Sequence, residues 1–215
     1  FELEVNSNNQ SFLVKDNVLY SIDKKILLKS GKQDGTINVI DGVETVKEKA
    51  FAESGVQKII FPASLKNIEK KMFLNCKNLK KIQISSSNSY MTVVDGAIYS
   101  KNKRKLLSAG VAKGTFKLLK KTIKIQRCAF AGNETVKKVV ITGRMKKLEK
   151  EGFAYSGICN IELPETLHIV GKGAFRECKN LKRVVFPESV KKIDKDVFVG
   201  CRKLEKVKSV SYTHL

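Results

Sequence analysis

The chain of 215 residues has no tryptophan, three prolines and two histidines. Without tryptophan it lacks the broadest stacking platform for sugars and nucleobases. With two histidines it has few imidazoles for metal ligation or base catalysis. No apolar run approaches the ~20 residues of a membrane-spanning helix. Acidic residues are also scarce: 21 against 42 lysines and arginines, a formal charge of +21. Yet 42% of the residues are hydrophobic. That is enough to bury a core and excludes a wholly disordered chain. The N-terminus, Phe1-Glu2-Leu3-Glu4, shows neither Met nor a signal-type apolar block. It reads as a fragment or mature segment.

Five cysteines, Cys76, Cys128, Cys159, Cys178 and Cys201, are too odd a number for a closed disulfide framework. None lies in a Cys-x-x-Cys pair, and only His168 and His214 could join them, so a zinc site is disfavoured. They are expected to recur at a fixed offset from phenylalanine, as small buried fillers. The redox compartment stays open.

What the chain does have is a repeat. Phe51, Phe73, Phe130, Phe153, Phe175 and Phe198 are separated by 22, 57, 23, 22 and 23 residues. Each of the first five is followed by apolar residues in an L-x-x-L-x-L pattern: Val56, Ile59, Phe61; Leu79, Ile82, Ile84; Val136, Val139, Ile141; Ile158, Ile161, Leu163; Leu181, Val184, Phe186. The alternation at the end of each set predicts a short strand with one face inward. Pro62, Pro164 and Pro187 all close that strand, as residues that cannot donate to a ladder. A second apolar pair precedes each phenylalanine, for example Leu65/Ile68 and Leu167/Val170; Thr122/Ile125 makes the Phe130 unit the weakest. A unit this short cannot bury its own face, so the units must stack over one continuous core with phenylalanine as its spine. Truncating such a phenylalanine should cost about 3–5 kcal/mol.

A longer period of 79 explains the gap. Val14-Lys15-Asp16-Asn17-Val18-Leu19-Tyr20-Ser21 matches Val93-Val94-Asp95-Gly96-Ala97-Ile98-Tyr99-Ser100, and Leu27-Leu28 matches Leu106-Leu107. Asp-Asn and Asp-Gly between apolar alternations signal hairpin turns. Each copy is therefore expected to be a small β-meander, at about residues 11–34 and 90–113, inserted between stacked turns.

The units resemble the BspA-like leucine-rich repeats of bacterial and protist surface proteins. The stretch Ala174-Phe175-Arg176-Glu177-Cys178-Lys179-Asn180-Leu181 through Phe186-Pro187-Glu188-Ser189-Val190 follows the family unit closely, and the Asp-Gly-x-x-Tyr insert is similar to one common there. Met72, Val197 and Thr142 depart from the pattern at single positions. The resemblance implies an α/β fold: a right-handed leucine-rich-repeat solenoid with a parallel β-sheet on its concave face, mostly β with short helical turns, plus inserted β-hairpins. It would span 1–208 as a single solenoid. The ending Ser209–Leu215 breaks the pattern, is similar to a translated adapter sequence, and reads as a non-native tail. The resemblance also implies an extracellular or cell-surface setting and an adhesion or recognition role. It carries over no ligand residue, because its motif consists of core positions.

Stacking turns sequence positions into columns. The candidate binding face consists of Lys58, Lys81, Lys138, Asn160 and Arg183, before each strand's first inward residue, and Ile60, Gln83, Val140, Glu162 and Val185, between the inward ones. Lys66, Lys146, Lys147, Lys191 and Lys192 offer a second basic column. Columns of cations would favour a polyanion, but solvated surface lysines are the plainer reading, and Lys101–Lys105 reads as a solvated hairpin tip. No aromatics interleave with the outward positions, which disfavours nucleic acid. No nucleophile–base arrangement, paired carboxylates or phosphate loop is legible, and Gly171-Lys172-Gly173 lacks the spacing of one. The expectation is a non-enzymatic module without catalytic, metal or cofactor residues. It would bind a protein or acidic glycan on a host or neighbouring cell. The alternatives are a polyanion binder acting through its cation columns, or a spacer. Exposed solenoid ends would allow self-association.

Overall fold

The computed structural model describes residues 2–6 and 8–209, so most of the suspect tail lies outside the described residues. The chain begins with an antiparallel meander, β1 (Phe12–Lys15), β2 (Val18–Ser21) and β3 (Ile26–Ser30). Then come β4 (Thr36–Asn38), β5 (Thr45–Val46), β6 (Lys58–Phe61), β7 (Asn67–Ile68) and β8 (Lys81–Ile84). A second meander follows: β9 (Met91–Val94), β10 (Ala97–Ser100) and β11 (Lys105–Ser108). The rest alternates longer and shorter strands: β12 (Gly114–Lys117), β13 (Lys124–Ile125), β14 (Val136–Val140), β15 (Lys147–Leu148), β16 (Asn160–Glu162), β17 (Ile169–Val170), β18 (Arg183–Phe186), β19 (Lys192–Ile193) and β20 (Lys206–Ser209).

The longer strands pair in parallel as β4-β6-β8 and as β12-β14-β16-β18-β20. The two-residue strands pair in parallel as well, and each meander feeds them directly: β3 pairs with β5 and β5 with β7, β11 pairs with β13, and β15, β17 and β19 form a three-stranded sheet of their own. The expected strands, the insert meanders and the proline positions are all in place. Along the long strands before β20 the first inward residue is buried, and in β6 and β18 both are, Ile59 with Phe61 and Val184 with Phe186. Thr122 substitutes for an apolar residue without loss, because its buried hydroxyl donates to the Lys103 carbonyl at 3.1 Å.

Two expectations need correction. The first is the helical turn, and with it the α/β class: among the described residues there is no helix, and the fold is a β-solenoid. The segment around each phenylalanine is a chain of β-turns. The residues two before and two after it adopt positive φ in every unit: Lys49 and Glu53, Lys71 and Asn75, Cys128 and Gly132, Glu151 and Tyr155, Gly173 and Glu177, Asp196 and Gly200. Left-handed residues four apart cannot belong to a right-handed helix. The amides freed from i→i−4 bonding reach across to the next turn instead: Phe51 N–H donates to the Met72 carbonyl, Phe153 to Ala174 and Phe175 to Val197. These bonds make a third ladder between successive units.

The second correction concerns the continuous core, which is two. Phe51 and Phe73 stack with centroids 5.9 Å apart, and Phe130, Phe153, Phe175 and Phe198 stack at 4.7, 5.5 and 5.7 Å. Between these files stands the second meander. Strand β10 is buried on both faces: Ile98 packs into the core containing Phe73, and Ala97 and Tyr99 into the core containing Phe130. The insert that starts one stack therefore also closes the stack before it.

Candidate recognition surface

The registers turn the candidate residues into two columns. In one sheet Thr36, Lys58 and Lys81 align, beside Asn38, Ile60 and Gln83. In the other Thr115, Lys138, Asn160, Arg183 and Lys206 align, beside Lys117, Val140, Glu162, Val185 and Lys208. Lys81, Asn160, Glu162 and Arg183 are exposed, while Lys58, Ile60, Gln83, Lys138, Val140 and Val185 are half-buried. Lys138, Asn160, Glu162, Arg183 and Val185 line one shallow depression of about 240 Å³ across three strands. The structure thus brings half of the candidates together. It places Lys58, Ile60, Lys81 and Gln83 on the separate, shorter sheet, and Val140 outside the depression.

The columns are not uniformly cationic. Lys138 pairs with Glu162. In the second column Lys66 meets Glu44 at 2.9 Å, Lys147 meets Glu149 at 3.5 Å and Lys192 meets Asp194 at 3.2 Å. The Lys66 hydrogen bond and charge hold the Glu44 carboxyl below its ordinary range, and Glu44 raises Lys66 in return. Exposed pairs of this kind contribute little stability, but each offsets the charge of its own lysine within the column.

The thiols are structural. Three of them, Cys76, Cys178 and Cys201, sit three residues after a phenylalanine, and each donates to the phenylalanine carbonyl one turn earlier, at 2.7, 3.1 and 3.0 Å. The fixed offset fails for Cys128 and Cys159, which occupy other places in the turn. Burial pushes Cys76 and Cys128 up to about 11, so neither is an activated thiolate. His168 is half-buried with Nδ1 2.7 Å from the Thr166 carbonyl oxygen. Among the described residues no three His, Cys, Asp or Glu side chains are grouped to hold a metal.

Single-sequence reasoning missed one convergence. The second meander's tip, the loop before β13 and the loop before β15 bring Asn102, Arg104, Lys120, Lys121, Ile123 and Arg144 around a common pocket. The 79-residue period sets Asp23, Asp41 and Glu44 against Asn102, Lys120 and Ile123, so the charge difference between the copies lies in the sequence, but the meeting of the loops does not.

A solenoid of stacked parallel strands, with its only chemical variety on outward columns and loops, is a repeat scaffold. The chain belongs to the family of BspA type leucine-rich repeat regions: that family's model matches residues 6–106 and 112–213, in six copies. Such repeats are in general protein-interaction or surface modules. The fold is similar to that of a leucine-rich repeat protein from Eubacterium ventriosum, at 22% identity and TM-score 0.66 over 81% of this chain and 54% of that one. It is also similar to the pneumococcal vaccine antigen PcpA, at 18% identity and TM-score 0.55 over 93% of this chain and 82% of that one. The chain thus spans about half the length of the Eubacterium protein. No curated protein sequence matches it.

Proposed function

We propose that this chain is a non-catalytic recognition module displayed at a cell surface. On this reading it engages a macromolecule of a host or neighbouring cell through the outward columns of the five-stranded sheet. The observation that carries the reading is the depression formed by Lys138, Asn160, Glu162, Arg183 and Val185. It mixes both charges, an amide and an aliphatic side chain on strands whose backbone is fixed by the ladder. Side chains on such a platform lose little further freedom on binding. The ion pairs along the columns weigh against a polyanion held by the columns themselves. Membership of a surface-module family, and likeness in fold to a protein named as a vaccine antigen, support the surface setting.

The test is interferometry of the chain against purified extracellular-matrix glycoproteins. Alanine at Lys138, Glu162 and Arg183 together should weaken any binding at least tenfold. All three are solvent-facing, so the melting temperature should hold. Full capture by the triple variant overturns the assignment of this face.

A further inference from the structure

We propose that the pocket at the tip of the second meander is a binding site for an acidic glycan segment, one bearing sulfate or carboxylate groups. Its volume of about 430 Å³ falls within the ~300–1,000 Å³ usual for ligand pockets. Arg104, Lys120, Lys121 and Arg144 surround it, all exposed, and among the described residues none of the four has an ion-pair partner. Four cations around one concavity repel each other, and an anion relieves that repulsion. The crowding extends to the rim, where burial and then the neighbouring Lys124 charge hold Lys105 below the usual lysine range.

The first copy of the insert provides an internal control. Its matching positions are Asp23, Lys25, Asp41, Gly42 and Glu44 at the offset of 79 and Ser64 at 80, because the turn after Phe130 is one residue longer than that after Phe51: three carboxylates and one amine where the second copy has four cations and no carboxylate. The loop is anchored alike in both, although Gly42 adopts φ +92 and its match Lys121 does not adopt a positive φ. Ile123 N–H donates to the Arg104 carbonyl at 2.9 Å as Glu44 N–H does to Lys25 at 2.8 Å. A general excess of lysine would have raised the charge of both copies alike, but only one was turned into a cationic pocket. In the first copy Lys66 has Glu44 as its partner; in the second, Ile123 stands in that place.

The backbone of the site is also fixed, although Lys101, Asn102, Lys103 and Arg104 are exposed, as expected of a solvated hairpin tip. Asn102 Oδ1 accepts hydrogen bonds from the Arg104 N–H at 3.1 Å and the Ser100 hydroxyl at 2.9 Å, which fixes the turn that carries Arg104. Arginine forks suit the paired oxygens of sulfate and carboxylate. Ile123 is 43% exposed and offers an apolar floor to the C–H face of a sugar ring. No aromatic side chain lines the pocket, so it has nothing on which to stack nucleobases.

The experiment uses the full chain and a heparin octasaccharide at physiological salt, read by titration calorimetry. In the variant carrying Lys120→Asp, Ile123→Glu and Arg144→Ser, each new side chain is the one the first copy already holds at that place. The fold should persist, checked by its circular dichroism melt. The control, Lys179→Glu with Lys203→Glu, lowers the net charge by the same four units at exposed sites elsewhere. The pocket variant should lose at least tenfold in affinity and the control less than twofold. Equal losses in both, or no binding by the unaltered chain, overturn the proposal. A single-stranded oligothymidine that binds the unaltered chain more tightly than the octasaccharide overturns the glycan assignment. The protein-recognition face is untouched by these changes, so either idea can fail without the other.

Discussion

At the residue scale, each unit is held by side chains and backbone angles that do more than fill space. The cysteine three residues after phenylalanine donates to the previous turn's carbonyl, and Asn133 takes the same place in its own unit, donating to Gly110 and Ala112 at 3.1 and 3.0 Å. The buried tyrosines of the two inserts, Tyr20 and Tyr99, are 1% exposed, and burial pushes both hydroxyls up to about 12. With Cys76 and Cys128 raised to about 11, the folded chain keeps protons that the unfolded chain releases from about pH 9 upward. The contribution of these groups is complete below that pH and is lost as the pH climbs through the raised values. Thermal melts should therefore show a falling melting temperature above about pH 9. The fall should be shallower in the Tyr20→Phe, Tyr99→Phe double variant, and an identical slope in both proteins would contradict this account.

At the element scale, strands were legible because period-2 alternation and a closing proline are local signals. The turns were not. The helical expectation came from family resemblance, and positive φ at residues such as Lys49, Lys71 and Glu151 has no signature in side-chain chemistry. Two of the glycines in these turns separate conformational cost from contact. Gly200 has φ +78, and a Cβ there meets only the Glu177 side chain, which can move aside. Gly132 has φ +79, and a Cβ there would lie 2.8 Å from Leu74 Cα and 2.9 Å from the Phe73 carbonyl oxygen, backbone atoms that cannot. Gly200→Ala should cost about 1 kcal/mol and Gly132→Ala about 3 kcal/mol, by urea unfolding. Equal losses would mean that the approach of the two stacks at Gly132 is looser than the structure has it.

At the scale of the whole molecule, the second meander shows how one stack ends and another begins. The Asn88 amide donates to the Ala63 and Leu65 carbonyls of the preceding turn at 3.1 and 2.7 Å, while its oxygen accepts from Tyr90 and Met91. Both halves of this junction are repeated, open, at opposite ends of the described residues. Asn9 matches Asn88, and Leu19 matches Ile98 but is only half-buried. Ile193 and Val207 match Ile68 and Ile82, yet are 49% and 47% exposed against 7% and 4%. Head-to-tail self-association is the expected result, held back by the +21 charge and favoured at about 1 M salt, where the screening length is roughly 3 Å. In sedimentation at high salt, Leu19→Lys and Val207→Lys should each give monomers, and an equimolar mixture should give dimers, because each variant keeps the end the other lacks. A monomeric unaltered chain under those conditions rules this out.

The sequence by itself determined the repeat, its length, the inward residues of every strand and the duplication of the insert, because each depends on spacing along the chain. Equal spacing also put the candidate residues into columns, on two separate sheets, since a parallel register converts equal spacing into neighbourhood. The tertiary structure alone decided which cations stay unpaired, that Arg104 and Arg144 share a pocket, and that β10 divides the core in two. Those outcomes depend on which loops meet across units, and pairing between charges or cores distant in sequence leaves no periodic trace in the chain.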